Sequence, residues 1–197
     1  RTTGADNWSS LSRLSGSDQL RFNTTGAATA ATAFGFDNMT GMYDSANYAD
    51  PNHYGWMFKR APAVFDVICY TGNGTAGRTV AHNLGVVPEL MIVKLRSGGW
   101  AWTVYHSGNT VEPQTEFLTL NATDATTDQT DKWNDTLPTN EVFTVGNGQS
   151  VNGNGYTVIA YLFASLPGVS KVSSYSGTGG NVNVDCGFSA GARFILI

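Results

Sequence analysis

Val67-Ile68-Cys69-Tyr70-Thr71-Gly72-Asn73-Gly74 and Val172-Ser173-Ser174-Tyr175-Ser176-Gly177-Thr178-Gly179 are the two stretches on which the fold turns. Each runs from a β-favouring segment into a Gly-rich turn, and their tyrosines are 105 residues apart (175 − 70). Downstream, Leu84–Val93 lines up with Phe188–Ile197 at an offset of 104 (188 − 84). Internal self-similarity at a fixed period is the mark of a repeated structural unit.

Working outward, Leu20-Arg21-Phe22-Asn23 resembles Leu118-Thr119-Leu120-Asn121, and Trp8 takes the place of Trp102. Tyr54–Phe58 followed by Pro62 resembles Ile159–Phe163 followed by Pro167. These correspondences keep one order. The chain therefore parses as residues 65–164, a complete unit; residues 1–64, the last two-thirds of another; and residues 165–197, the first third of a further one. The last piece is expected to complete the sheet begun by the first, within one chain or between successive chains of a filament. The missing initiator Met points to a fragment or a processed chain.

The elements expected are short strands over Phe65–Thr71, Thr79–His82, Leu90–Leu95, Trp100–His106, Phe117–Asn121, Val142–Val145, Tyr156–Phe163, Val172–Tyr175, Asn181–Val184 and Phe194–Ile197. Period-two or continuous apolar runs bounded by Gly, Asn and Pro are strand signals. Gly72-Asn73-Gly74 and its counterpart are expected to close hairpins. Gly26–Ala33 is the one stretch with some helical character, weakened by its threonines and glycine. The fold class is all-β: tandem small antiparallel sandwich-like or barrel-like domains built from one unit of ~100 residues.

Composition agrees with that class. Charged residues make up 13% of the 197, about half the usual share, while Gly, Ser, Thr and Asn fill the gap. A net charge of −4 and a pI near 5.2 speak against a nucleic-acid surface. No apolar run reaches the 18 to 20 residues of a membrane helix. Cys69 and Cys186 read more readily as buried free thiols than as a disulfide.

The string from Phe65 to Lys94, followed by Trp102–His106, Leu118–Thr123, the Trp133–Thr139 turn, Val142–Gly146 and Tyr156–Gly179, resembles a repeat domain of phage tail-fibre-like structural proteins, a domain of unknown function found in phages of marine bacteria. It covers residues 57–197 well and the first 56 loosely. The resemblance implies a virion protein exposed on the particle, and brings no catalytic or ligand residue with it.

Reactive constellations are not recognisable. There is no Gly-x-Ser-x-Gly elbow and no His-Glu-x-x-His, and the three histidines, His53, His82 and His106, fall in unrelated parts of the unit. Asp124, Asp128, Asp131 and Asp135 miss the spacing of a compact calcium loop. Thr71–Thr75 lacks the Gly-Lys-Ser/Thr ending of a phosphate loop. No catalytic residue, metal ligand or cofactor is expected. Trp100, Tyr105 and His106 are the candidates for a ligand surface, since aromatic side chains stack on sugars and dominate interfaces. Trp102 is expected in the core, because Trp8 occupies the equivalent place in the preceding unit. Phe194, Ile195, Leu196 and Ile197 form the candidate assembly edge, because a free apolar strand invites a partner.

The function expected is a non-enzymatic structural protein of a phage tail fibre or similar virion appendage, extracellular when assembled. Its partners would be copies of itself and other virion proteins, with host surface glycan or protein as a further one. The alternatives are a host-receptor or glycan-binding module of a fibre and an extracellular filament or adhesin subunit.

Overall fold

Three strands with apolar residues on both faces make the centre of the molecule. The computed structural model describes residues 8–31, 34–38, 41–44 and 55–197. β13 (Thr157–Phe163) lies between β6 (Phe65–Thr71) and β8 (Leu90–Leu95), antiparallel to both, with Tyr161 opposite Val67 on one side and Ile92 on the other. β9 (Thr103–His106), β10 (Glu116–Thr119) and β11 (Thr127–Asp128) extend the sheet to the order β11-β10-β9-β8-β13-β6.

Alternation sends neighbouring side chains to opposite faces, which explains why these strands read as continuous apolar runs rather than alternating ones. Met91, Val93 and Leu95 of β8 join Val158, Ala160 and Leu162 of β13 and Tyr105 of β9 on one face. A two-stranded sheet of β7 (Arg78–Ala81) and β12 (Val142–Val145) covers that face, with the single-turn helices α1 (Thr130–Trp133) and α2 (Gln149–Asn152) beside it. Trp133 is buried against Tyr105, ring centroids 5.9 Å apart, and its indole N–H donates to the Glu116 carbonyl at 3.0 Å.

The opposite face carries Phe65, Val67, Ile92, Trp102, Val104 and Ile159. It is covered by the N-terminal residues. β1 (Ser9–Leu11), β2 (Asp18–Arg21) and β3 (Thr29–Ala30) form a three-stranded antiparallel sheet that brings Leu20 and Phe22 onto this core. A separate hairpin, β4 (Phe34–Asn38) with β5 (Gly41–Asp44), follows.

The pairing of β1, β2 and β3 matches that of β9, β10 and β11 at constant shifts. With shifts of 94 for β1 (102 − 8) and 98 for β2 and β3 (118 − 20), Ser9↔Arg21 falls on Thr103↔Thr119 and Ser10↔Leu20 on Val104↔Leu118. Asp18↔Ala30 and Gln19↔Thr29 fall on Glu116↔Asp128 and Phe117↔Thr127. The connecting bonds coincide too. Phe22 N donates to Trp8 O at 2.8 Å and Leu120 N to Trp102 O at 3.1 Å; Ala31 N donates to Ser17 O at 2.7 Å and Gln129 N to Thr115 O at 2.9 Å.

Several expectations need correcting. Gly72-Asn73-Gly74 does not close a hairpin: β6 and β7 belong to different sheets, and the connector crosses between them. Gly72 is required there by close approach, since a Cβ would lie 2.1 Å from the Gly153 carbonyl oxygen. Asn152 fixes the crossing, its amide donating to Thr75 O and Gly146 O at 2.9 and 2.8 Å and its oxygen accepting from Asn73 N at 3.0 Å. Gly26–Ala31 holds no helix and contributes β3 instead. Residues 172–175, 181–184 and 194–197 form no strand, and Tyr175 lies exposed outside any strand while Tyr70 is in β6. Cys69 and Cys186 are free thiols, as expected, but neither is buried.

Candidate functional site: an aromatic edge

Of the three aromatic candidates, the structure leaves one freely accessible. Trp100 sits exposed in the loop before β9. Tyr105 is 2% exposed in the core, where burial raises its hydroxyl above the usual tyrosine range. It cannot serve a surface ligand, because alternation along β9 turns it inward beside Trp133. His106 ends β9 partly covered, its Nδ1 accepting from Gly108 N at 3.0 Å. Burial lowers its imidazole pKa, against smaller upward pulls from a Ser173 hydrogen bond and the Glu89 carboxylate. Trp102 is wholly buried, as expected, its indole N–H donating to Arg21 O at 3.0 Å and its main-chain N–H to Asn121 Oδ1 at 2.8 Å.

The assembly-edge candidates are exposed as a group. Phe194, Ile195, Leu196 and Ile197 all keep large apolar areas in solvent, reaching 95% at Ile197. Among the described residues they pair with no strand. Phe194 does meet other rings: its centroid lies 5.5 Å from Trp56 and 5.2 Å from Phe58. Trp56 in turn stacks on Trp8, with centroids 6.5 Å apart and planes 5° from parallel. Phe58 reaches back to Phe65 and Phe163 at the end of the main sheet. Trp8, Trp56, Phe58 and Phe194 thus form one chain of aromatic contacts on the surface, and exposed apolar patches of this kind mark interaction sites.

Trp8 and Trp56 were not singled out as an interaction surface by the sequence, although the repeat comparison carried the signal. Trp8 corresponds to Trp102, and Trp56 corresponds to Tyr161 at the shift of 105 (161 − 56). Trp102 and Tyr161 are themselves stacked, with centroids 6.4 Å apart. Tyr161 donates or accepts a 2.7 Å hydrogen bond with Ser10 Oγ, and burial raises its hydroxyl pKa to about 12.

Between the two faces lies Lys94. Its side chain is 0% exposed, and its ammonium donates to Leu95 O, Thr25 O and Gly98 O at 2.9, 3.2 and 3.2 Å. Burial lowers its pKa to about 8. Three carbonyls satisfy the donors, and the Thr25 bond ties β8 to the N-terminal segment. All three contacts are to main-chain carbonyls, so the side chain fastens one backbone segment to another.

A family model described as a domain of unknown function (DUF7483) matches residues 58–197, well over half of the chain. The chain belongs to the DUF7483 family. No curated protein and no solved structure matches it. The DUF7483 match begins at Phe58, inside the aromatic edge, and takes in the whole main sheet and the C-terminal residues through Ile197. Among the described residues of this DUF7483 chain, no group of three His, Cys, Asp or Glu side chains could hold a metal ion, and no helix is long and apolar enough to cross a membrane. What the edge offers chemically is apolar, aromatic adhesion.

Proposed function

We propose that this chain is a non-enzymatic structural module of a phage tail fibre or a similar virion appendage, built from tandem copies of one unit and working with copies of itself and other virion proteins. The observation that carries the tandem reading is the coincidence of ladder pairs between β1-β2-β3 and β9-β10-β11 at fixed shifts. A slip of one residue would turn every side chain to the other face, so a shared register over two ladders is a demanding match. The virion setting rests on the sequence resemblance to phage fibre repeats. For the non-enzymatic reading, one buried carboxylate speaks directly. Asp66, the buried carboxylate of a shallow hollow also lined by Arg60, Pro62 and Asn83, has both oxygens engaged: Oδ1 accepts from Arg60 Nε at 2.5 Å and Val67 N at 2.9 Å, and Oδ2 accepts from Asn83 N at 2.8 Å.

Gold-labelled antiserum against the purified chain should decorate the appendages of virions from the source culture. Unlabelled virions beside a labelled cell envelope would point to the adhesin instead. The same protein should release no reducing sugar from host capsule or lipopolysaccharide, and turnover that a single Asp or Glu substitution abolishes would end the structural reading.

A further inference from the structure

Between β1 and residues 55–58, the layout of the main sheet calls for one more strand, a slot that β8 fills in the main sheet. In the main sheet, Trp102 precedes β9 and Tyr161 lies on β13, and the strand between β9 and β13 is β8, whose Ile92 joins both rings in one core. Trp102 and Tyr161 thus lean toward each other over β8, their ring centroids 6.4 Å apart, while the strands on either side of β8 are two strand spacings, about 10 Å, apart. Trp8 and Trp56 repeat that arrangement at 6.5 Å. Among the described residues, β1 is paired only with β2, and residues 55–58 are in no strand. Among the described residues, no strand stands in the position that corresponds to β8.

The segment that corresponds to β8 is Phe194–Ile197, at the shift of 104 (194 − 90). It stands at the mouth of the slot in the same chain. In the main sheet Leu90 pairs with Phe163. The counterparts of those two residues are Phe194 and Phe58, and their rings are in contact at 5.2 Å. One cross-strand contact of the missing ladder has thus been made, while Ile195, Leu196 and Ile197 remain outside it with their apolar surface in water.

We propose that Phe194–Ile197 is the strand that fills this slot, added within its own chain between β1 and residues 55–58. The proposal rests on the tandem reading above and fixes the register. β8 pairs with β9 as Leu90↔His106, Met91↔Tyr105, Ile92↔Val104 and Val93↔Thr103. Shifted by 104 and 94, these become Phe194↔Ser12, Ile195↔Leu11, Leu196↔Ser10 and Ile197↔Ser9. Leu196 then takes the place of Ile92 under the rings of Trp8 and Trp56, and the exposed faces of both indoles close over it. Apolar burial drives the insertion, and ladder hydrogen bonds set its position.

The register makes the proposal testable by cysteine trapping in the 197-residue chain. In a Cys69→Ser, Cys186→Ser background, Ser10→Cys with Leu196→Cys should oxidise with glutathione disulfide to an intramolecular cross-link, seen as a faster-running monomer on a non-reducing gel. Leu11→Cys with Leu196→Cys, one residue out of register, should not. A cross-linked dimer would assign the slot to a second copy and overturn the intrachain placement; equal trapping of the slipped pair would overturn the register. Hydrogen exchange on the unmodified chain guards against a variant that fails to fold. Protected amides across residues 194–197 are expected, and free exchange there would refute the insertion. The tandem reading is checked separately by the β1-β2 register, so its failure is distinguishable from failure of the insertion.

Discussion

Trp102 and Trp8 hold matching places in two sheets with the same ladder register, yet one is 0% exposed and the other 63%. The same contrast holds between Tyr161, partly buried and hydrogen-bonded to Ser10, and Trp56, half in solvent. The backbone pattern is shared; the burial is not. The difference lies in what stands beside each tryptophan. Trp102 has β8 and β13 packed against it on one side and the N-terminal sheet laid over it on the other, with Phe22 4.7 Å from its ring. Trp8 has a stacked partner in Trp56, and among the described residues β1 is paired on one side only, with β2. Strand pairing sets where a side chain points, and the neighbouring layers decide how much stability follows from it.

The sharpest way to break this comparison is to truncate both indoles. Trp102→Ala should cost about 3–5 kcal/mol, as for large core truncations, with the indole bond to the Arg21 carbonyl lost as well. Trp8→Ala should cost under about 1 kcal/mol. Urea unfolding of the two variants measures both, and similar costs would mean that the two sites are equally packed.

Leu20→Ala tests the joint between the regions. Leu20 is buried in the core shared by the N-terminal sheet and the main sheet, whereas its counterpart Leu118 is only partly buried. About 2–4 kcal/mol is expected at Leu20 and less at Leu118, read from the same unfolding curves. The reverse order would show that the N-terminal sheet is not seated on the main one.

Lys94 gives a smaller, pH-dependent effect. Its folded pKa is about 8, below the 10.5 of a free lysine, so between those values the unfolded chain binds more protons than the folded one. Stability attributable to this residue therefore rises with pH over that window and is flat below it. Relative to Lys94→Met, the unmodified protein should gain about 1–3 kcal/mol between pH 8 and 10.5 in urea titrations. A flat difference would mean that burial does not disfavour the charged form of this lysine.

Much of the main sheet was legible in the sequence because its strands are long apolar runs. Phe65–Thr71, Leu90–Leu95 and Val142–Val145 were placed at the bounds the structure shows, and Tyr156–Phe163 within one residue. α1 and α2 were missed, since a four-residue helix contains too little periodicity to register. Nothing local to Lys94, a lone lysine within an apolar run, announces three carbonyls converging from Thr25, Leu95 and Gly98. Tyr105 could not be told from a surface aromatic until the face of β9 was known. Phe194–Ile197 illustrates the opposite limit: strand character is written in the residues, but a strand exists only beside a partner, and the partner is a property of the fold.

The most direct test of the account is the register of the two three-stranded ladders in solution. Ser9↔Arg21 and Thr103↔Thr119 are opposite pairs adjoining the Phe22→Trp8 and Leu120→Trp102 bonds, so both are non-hydrogen-bonded pairs whose α-protons lie close. Nuclear Overhauser spectra should show strong Hα–Hα cross-peaks for Ser9–Arg21 and for Thr103–Thr119 alike. A cross-peak of Ser9 with Leu20 or Phe22 in place of Arg21 would mean a slipped ladder, and the N-terminal sheet would then not be a second copy of the unit.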